Sequence, residues 1–204
     1  MEPIFTRIYE NKVWGNNRVE GYSGSSGSGT VVNSAAYVAF LRKFIQDHSI
    51  SSVVDLGCGD FLVGDSIYHD LDVAYTGYDA YASVVEYNTQ KFRSTGKYNF
   101  IHMDFFTRKE EIIQGDLCIL RDVIMHWDLR SIYTFLDYIV QSKRFKYILL
   151  CNCAGQTADN PEIVTGGWRP LSARFMPLKA FHPQIVYTYL SNTEKEISVI
   201  KIES

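Results

Sequence analysis

The apolar positions of this chain change period in a regular way. Short runs of β-branched and aromatic residues at 52–56, 73–78, 99–103, 116–120 and 147–152 read as strands. The stretches between them, at 62–69, 82–93, 109–113 and 129–142, read as helices. Ahead of them Val38, Leu41, Phe44 and Ile45 mark one face of a helix over 33–48 that packs on a sheet. Strand and helix in alternation build βαβ units, whose parallel strands need helices over both faces. The alternation fails near the end. The runs at 185–190 and 197–202 are joined by polar Ser191-Asn192-Thr193-Glu194, too little chain for a crossover helix, so they predict an antiparallel hairpin. The expected fold class is α/β: a Rossmann-like seven-stranded, mostly parallel sheet with a C-terminal antiparallel hairpin and helices on both faces.

Residues 1–204 fit one domain, and no internal repeat is visible. Two segments stand outside the alternation. The first, 1–30, carries Ile8, Tyr9, Val13, Trp14 and Tyr22 before Ser23-Gly24-Ser25-Ser26-Gly27-Ser28-Gly29. That glycine and serine stretch resembles a linker, but it leads from an apolar segment through Thr30 into a helix, so it reads as a flexible loop of the protein and 1–30 as a lid. The second, 154–183, includes Thr165-Gly166-Gly167-Trp168-Arg169-Pro170-Leu171. It leaves the carboxyl end of a strand, where open α/β sheets bind ligands, and is the candidate substrate wall.

Composition narrows the field. An apolar fraction of 46% with 21% charged residues belongs to a soluble globular protein. A net charge of −3 without a cluster of Lys and Arg argues against general nucleic-acid or membrane binding. No apolar run is long enough to span a bilayer and the N-terminus has no signal-peptide pattern. Cys58, Cys118, Cys151 and Cys153 fall in predicted strands or the glycine turn, as buried thiols do in a reducing cytoplasm, the expected location. Cys151 and Cys153 lack a second Cys/His pair at zinc spacing, so they read as strand residues.

The chemistry begins at Val53-Val54-Asp55-Leu56-Gly57-Cys58-Gly59-Asp60, where a strand runs into an acid and a turn with two glycines. A backbone without Cβ atoms bends sharply there and lets a ligand lie against its amides. The dinucleotide pattern would need a third glycine where Leu62 stands, and it binds a pyrophosphate. Asp55 and Asp60 repel phosphate and suit a cation, such as S-adenosyl-L-methionine with its sulfonium and ammonium. Asp79, twenty positions after Gly59, ends the second strand where a carboxylate accepts ribose hydroxyls; Asp104 and Phe105 follow the third, where adenine would lie. Together these sites resemble the class I S-adenosylmethionine-dependent methyltransferases over 53–153. The resemblance implies a cofactor site of Trp14, Gly29, Asp55, Gly57, Gly59, Asp79, Ala80, Asp104, Phe105 and Asp122.

Methyl transfer requires alignment of donor and acceptor, and proton removal when the acceptor is a hydroxyl. Leu120-Arg121-Asp122-Val123-Ile124-Met125-His126-Trp127 ends the fourth strand, which faces the methyl group in that fold. His126 titrates near neutrality and is the candidate general base, against a capping or core histidine; Asp122 orients its ring, acts itself, or bonds the cofactor's methionine moiety. Arg121 is solvated or pairs with an acid. No Pro-Pro-aromatic sequence follows Asp122 and no Pro-Cys pair exists, which argues against DNA adenine and cytosine methylation. No acid cluster suggests a metal, so none is expected.

The N-terminal Ile8-Tyr9-Glu10-Asn11-Lys12-Val13-Trp14-Gly15, the glycine/serine stretch, the glycine turn and the 121–127 segment resemble a narrower group, methyltransferase domains of glycan synthesis, including a viral one that also transfers rhamnose. That resemblance implies O-methylation of a sugar hydroxyl such as one on rhamnose, a carbohydrate acceptor, and a fused or associated glycosyltransferase. Trp127, Trp168 and Arg169 are the substrate candidates, since aromatic faces suit the apolar faces of sugars. The alternatives are a small-molecule or protein N-methyltransferase and a cofactor-binding module without catalysis.

Overall fold

The computed structural model describes residues 1–15 and 31–203. Seven strands form one sheet in the order β3-β2-β1-β4-β5-β7-β6. They are β1 (Ser52–Leu56), β2 (Ala74–Asp79), β3 (Tyr98–His102), β4 (Gly115–Arg121), β5 (Phe145–Cys153), β6 (Gln184–Leu190) and β7 (Glu194–Lys201). β1 to β5 pair in parallel, and β7 runs antiparallel to both β5 and β6. The helices are α1 (Glu2–Glu10), α2 (Val31–Asp47), α3 (Leu62–Tyr68), α4 (Ala82–Lys91) and α5 (Leu129–Gln141). The expected mixed sheet and its C-terminal hairpin are therefore present. Among the described residues no helix is long and apolar enough to cross a membrane.

Side chains alternate between two cores because successive strand residues point to opposite faces. Val54, Leu56, Cys118, Leu120, Ile148 and Leu150 join one core, which α5 covers with Ile132, Phe135, Leu136 and Ile139. Val53, Leu117, Ile119, Leu149 and Cys151 join the other, under Tyr37, Leu41, Phe44 and Ile45 of α2. Tyr37 takes the buried place that the sequence assigned to Val38, which is only half-buried. All four cysteines are free thiols. α5 starts at Asp128, whose carboxylate accepts the Ser131 N–H at 2.8 Å and satisfies an end donor that has no partner within the helix.

Two elements differ from the sequence reading. α1 was expected only as apolar lid chain, although Pro3 in its first turn and the i, i+4 pairs Ile4/Ile8 and Phe5/Tyr9 are helix signals. The 154–183 segment is anchored through part of its length: Arg169, Leu171, Ser172, Ala173 and Leu178 are buried, and most of the remainder is exposed or half-buried. Glu196 of β7 holds it, accepting from Ser172 Oγ at 2.7 Å and the Ala173 N–H at 2.6 Å. A buried carboxylate with two such donors fixes a loop that has little periodicity of its own.

Candidate functional site

The parallel strands all end at one edge of the sheet, and β7, being antiparallel, begins there. Two cavities lie along that edge: a cleft of about 420 Å³ and a smaller one of about 80 Å³. Tyr9, Trp14, Gly57, Asp122 and His126 line both, so these residues stand where the two meet.

The glycine turn after β1 forms the floor. Gly57 has φ +89°, and a Cβ there would lie 2.5 Å from Val123 Cγ2. Only glycine fits where the backbone takes that φ and runs so close to the Val123 side chain. The next helix, α3, starts at Phe61, a left-handed residue (φ 56°) whose ring lies against Gly64. That ring is buried amid Tyr68, Tyr75, Phe92, Tyr98 and Phe100, a packing that offsets the strained backbone and fixes the turn.

The carboxylates stand at successive strand ends. Asp55 accepts from Tyr75 Oη at 2.9 Å and lines the larger cleft. Asp79 accepts the N–H groups of Gly59 (3.0 Å) and Tyr81 (2.9 Å) and, with Ala80, lines the smaller cavity. Burial raises the pKa of both to about 6, against the hydrogen bonds that favour ionisation. Asp104 and Phe105 line the smaller cavity too, but the Asp104 carboxylate is engaged by the Met1 amine and the N–H groups of Glu2, Phe106 and Thr107. It ties α1 to the sheet in addition to facing the cavity. Gly59 (φ +55°) lines the larger cleft, whereas Gly29 and Tyr22 lie outside the described residues.

α1 roofs the junction. Tyr9 stacks on Tyr81 with ring centroids 4.7 Å apart, and Trp14 lies 4.7 Å from the His126 ring. His126 is 8% exposed, and its Nδ1 is 2.7 Å from the Gly167 carbonyl oxygen. A carbonyl only accepts, so Nδ1 carries the proton and Nε2 keeps a lone pair. Burial lowers the pKa of His126, against the Gly167 bond and the Asp122 charge.

Three expectations need correction. Asp122 does not orient His126; the Gly167 carbonyl does. Asp122, at φ +58°, instead pairs through Oδ1 with Lys195 Nζ at 2.6 Å, and its Oδ2 has no hydrogen-bond partner among the described residues. Trp127 is not a substrate platform: it is 1% exposed and packs against Phe105, Phe106 and Phe135, its edge bordering the smaller cavity. Arg169 is no substrate ligand either, because it is 3% exposed and donates to the carbonyls of Pro161 and Trp127. Arg121, expected to be solvated or to pair with an acid, is half-buried at the larger cleft and drawn to the Asp122 charge, with an aromatic neighbour the sequence did not suggest. Its guanidinium lies 4.5 Å from the Tyr37 ring centroid and donates to Ser34 Oγ at 3.0 Å. Of the 154–183 segment only Trp168, exposed by 56%, lines the cleft.

Sequence reasoning missed Lys195 and the β6–β7 turn. Lys195 is 5% exposed, lines the larger cleft and also donates to Cys153 Sγ at 3.1 Å. Burial disfavours its charge, but the Asp122 carboxylate outweighs that and raises its pKa. Flanked by Glu194 and Glu196 and standing before the apolar run at 197–202, Lys195 carried no signal in the sequence. Among the described residues no group of three or more His, Cys, Asp or Glu side chains is placed to hold a metal ion.

No protein-family model and no curated protein matches the sequence. Solved structures do resemble it. The methyltransferase domain of a bacterial Hen1 (CtHen1-C) is 12% identical with a TM-score of 0.65, over 86% of this chain and 100% of that one. The mitomycin 7-O-methyltransferase MmcR is 14% identical with a TM-score of 0.62, over 82% of this chain and 54% of that one. The N-terminal domain of EvdMO1 with SAH bound is 12% identical with a TM-score of 0.61, over 100% and 98%. At these identities the likeness is one of architecture: the chain has the Rossmann-like fold of the methyltransferases.

Proposed function

We propose that this protein is an S-adenosylmethionine-dependent O-methyltransferase acting on a hydroxyl of a carbohydrate. The observation that carries the reading is His126, fixed through Nδ1 by Gly167 at the junction of two cavities with Nε2 left to accept a proton. The cofactor fits the residues present. Gly57 leaves no room for a side chain beneath it, and half-buried Asp55 and buried Asp79 are carboxylates that gain from hydrogen-bond donors or a cation. When bound, S-adenosylmethionine supplies an electrophilic methyl group and retains the S–C bonding pair as S-adenosylhomocysteine. Asp79 would hold the ribose hydroxyls, and Phe105 would flank the adenine. Tyr9 and Trp14 exclude water from above, which strengthens every polar contact beneath.

On the acceptor side, His126 Nε2 would accept the hydroxyl proton, freeing the oxygen lone pair for the methyl group that the cofactor would supply. The Asp122 carboxylate favours the protonated ring that results, and Lys195 beside it opposes part of that effect. One similar structure, the N-terminal domain of EvdMO1, was obtained in the presence of SAH and D-fucose, which supports a sugar as the acceptor. A rhamnose unit is the first to test, supplied by a fused or associated glycosyltransferase. The test is mass spectrometry of an acceptor-glycan panel incubated with labelled cofactor. Methylated sugar is expected. Label in amines alone would favour N-methylation, and cofactor binding without S-adenosylhomocysteine formation would favour a non-catalytic module.

A further inference from the structure

Strand order separates the two flanks of the site. Asp55 and Asp79, at the ends of β1 and β2, and Asp104, just after β3, lie on one side of β4, whereas β5, β7 and β6 lie on the other. On that second flank the larger cleft is lined by Trp168, the turn residues Ser191, Asn192 and Thr193, and Lys195. The turn is held in place. Ser191 N–H bonds the Thr193 carbonyl at 3.0 Å, Thr193 Oγ1 bonds Cys153 Sγ at 3.2 Å, and Asn33 of α2 donates to Asn192 Oδ1 at 3.2 Å.

We propose that the β6–β7 turn, Trp168 and the Asp122–Lys195 pair form an acceptor subsite for an uncharged, hydroxyl-rich ring, with Lys195 selecting against charged acceptors by cancelling the Asp122 carboxylate. The proposal rests on the carbohydrate reading and deepens it. An amine would be drawn by an uncompensated carboxylate, and a phosphate by an uncompensated cation. Here the two charges are 2.6 Å apart and spend their attraction on each other, while the other cation of the cleft, Arg121, is balanced by Asp55 as well as Asp122. What they leave is hydrogen-bonding capacity: Asp122 Oδ2 as an acceptor, the Ser191 and Thr193 hydroxyls, and the Asn192 amide. Trp168 adds an exposed aromatic face for the C–H side of a ring.

Three probes decide the matter when titrated by NMR into the protein saturated with S-adenosylhomocysteine: methyl α-L-rhamnopyranoside, a 6-amino-6-deoxyhexoside and a hexose 6-phosphate. The wild type should prefer the rhamnoside. Lys195→Met should shift selectivity toward the amino sugar by about tenfold or more, and Asp122→Asn toward the phosphate by a similar factor. Asn192→Ala, in the exposed turn, should weaken the rhamnoside severalfold and leave S-adenosylhomocysteine binding unchanged. A change of selectivity is a response that mere loss of packing would not give. If the wild type binds the rhamnoside but both charge variants keep its selectivity and Asn192→Ala its affinity, the subsite is refuted and the carbohydrate reading stands. If no probe binds although S-adenosylhomocysteine does, the carbohydrate reading fails and the subsite with it. Should Lys195→Met not fold, the Asp122→Asn and Asn192→Ala results decide alone.

Discussion

The Nδ1 atom of His126 and the carbonyl oxygen of Gly167 lie 2.7 Å apart, which commits the imidazole to one tautomer. The base is then Nε2. Because burial lowers its pKa, turnover should stay level through neutral pH and fall only as pH drops below the ordinary histidine value of about 6.5, where the ring is lost to protonation. His126→Ala should lower turnover roughly 10²–10⁴-fold with little change in cofactor affinity, and Asp122→Asn should lower it less. Near-native turnover in His126→Ala with none in Asp122→Asn would reverse the two roles.

Asp79→Ala should weaken S-adenosylhomocysteine binding by about 1.5–3 kcal/mol or more, measured by calorimetry. The carboxylate that would hold the ribose also organises the N–H groups of Gly59 and Tyr81, so both ligand and turn lose it. Unchanged affinity would remove Asp79 from the site.

Gly57→Ala places a methyl group 2.5 Å from Val123 Cγ2 on a backbone at φ +89°. We expect a loss of about 1–3 kcal/mol in stability together with weaker cofactor binding. Adding Val123→Ala should return part of the stability, since it removes the clash and keeps the backbone strain. Full recovery in thermal unfolding would show that sterics alone exclude a side chain here.

Asp55 carries a pKa of about 6 when folded, above its ordinary value of 3.8, chiefly through burial. The folded state therefore binds this proton more tightly than the unfolded chain, and ionised Asp55 costs stability above pH 6; the cost fades between pH 6 and 4. Asp55→Asn should raise the stability of the ligand-free protein by about 1–2 kcal/mol at pH 7, discounted because the group is only half-buried. The gain should vanish near pH 4, read from unfolding midpoints at both values.

Removing the N-terminal segment through Gly29 should leave a folded sheet that binds cofactor poorly, because Tyr9 and Trp14 line both cavities. The pair Tyr9→Ala and Trp14→Ala tests the same roof without shortening the chain. Normal affinity and turnover in all three would make the segment a passive tail.

The sheet was legible because period-2 and period-3.6 patterns alternate cleanly from β1 to β5, and because the short polar turn at 191–193 forbids a crossover. The floor of the site was legible from Asp55, Gly57 and Asp79, which depend on local backbone chemistry at strand ends. Partner choice was not. Whether Asp122 faces His126 or Lys195 depends on β7 lying beside β5, a pairing between segments far apart in sequence. Trp127 and Arg169 misled for a related reason. An aromatic ring or a guanidinium near a cleft looks the same in sequence whether it faces ligand or, like these two, turns into the core and finds its partners there.

The reversed direction of β7 also has a bearing on how the protein is made. Asp55, Asp79, Asp104 and Asp122 all leave the ribosome before the hairpin exists, and Lys195, the cation hydrogen-bonded to Asp122, arrives 73 residues later. The strand pairing that completes the sheet also delivers that cation. The strand ends that carry Asp55, Asp79 and Asp104 are thus complete in the chain before the flank of the larger cleft that holds Lys195, which forms only when the last two strands have docked.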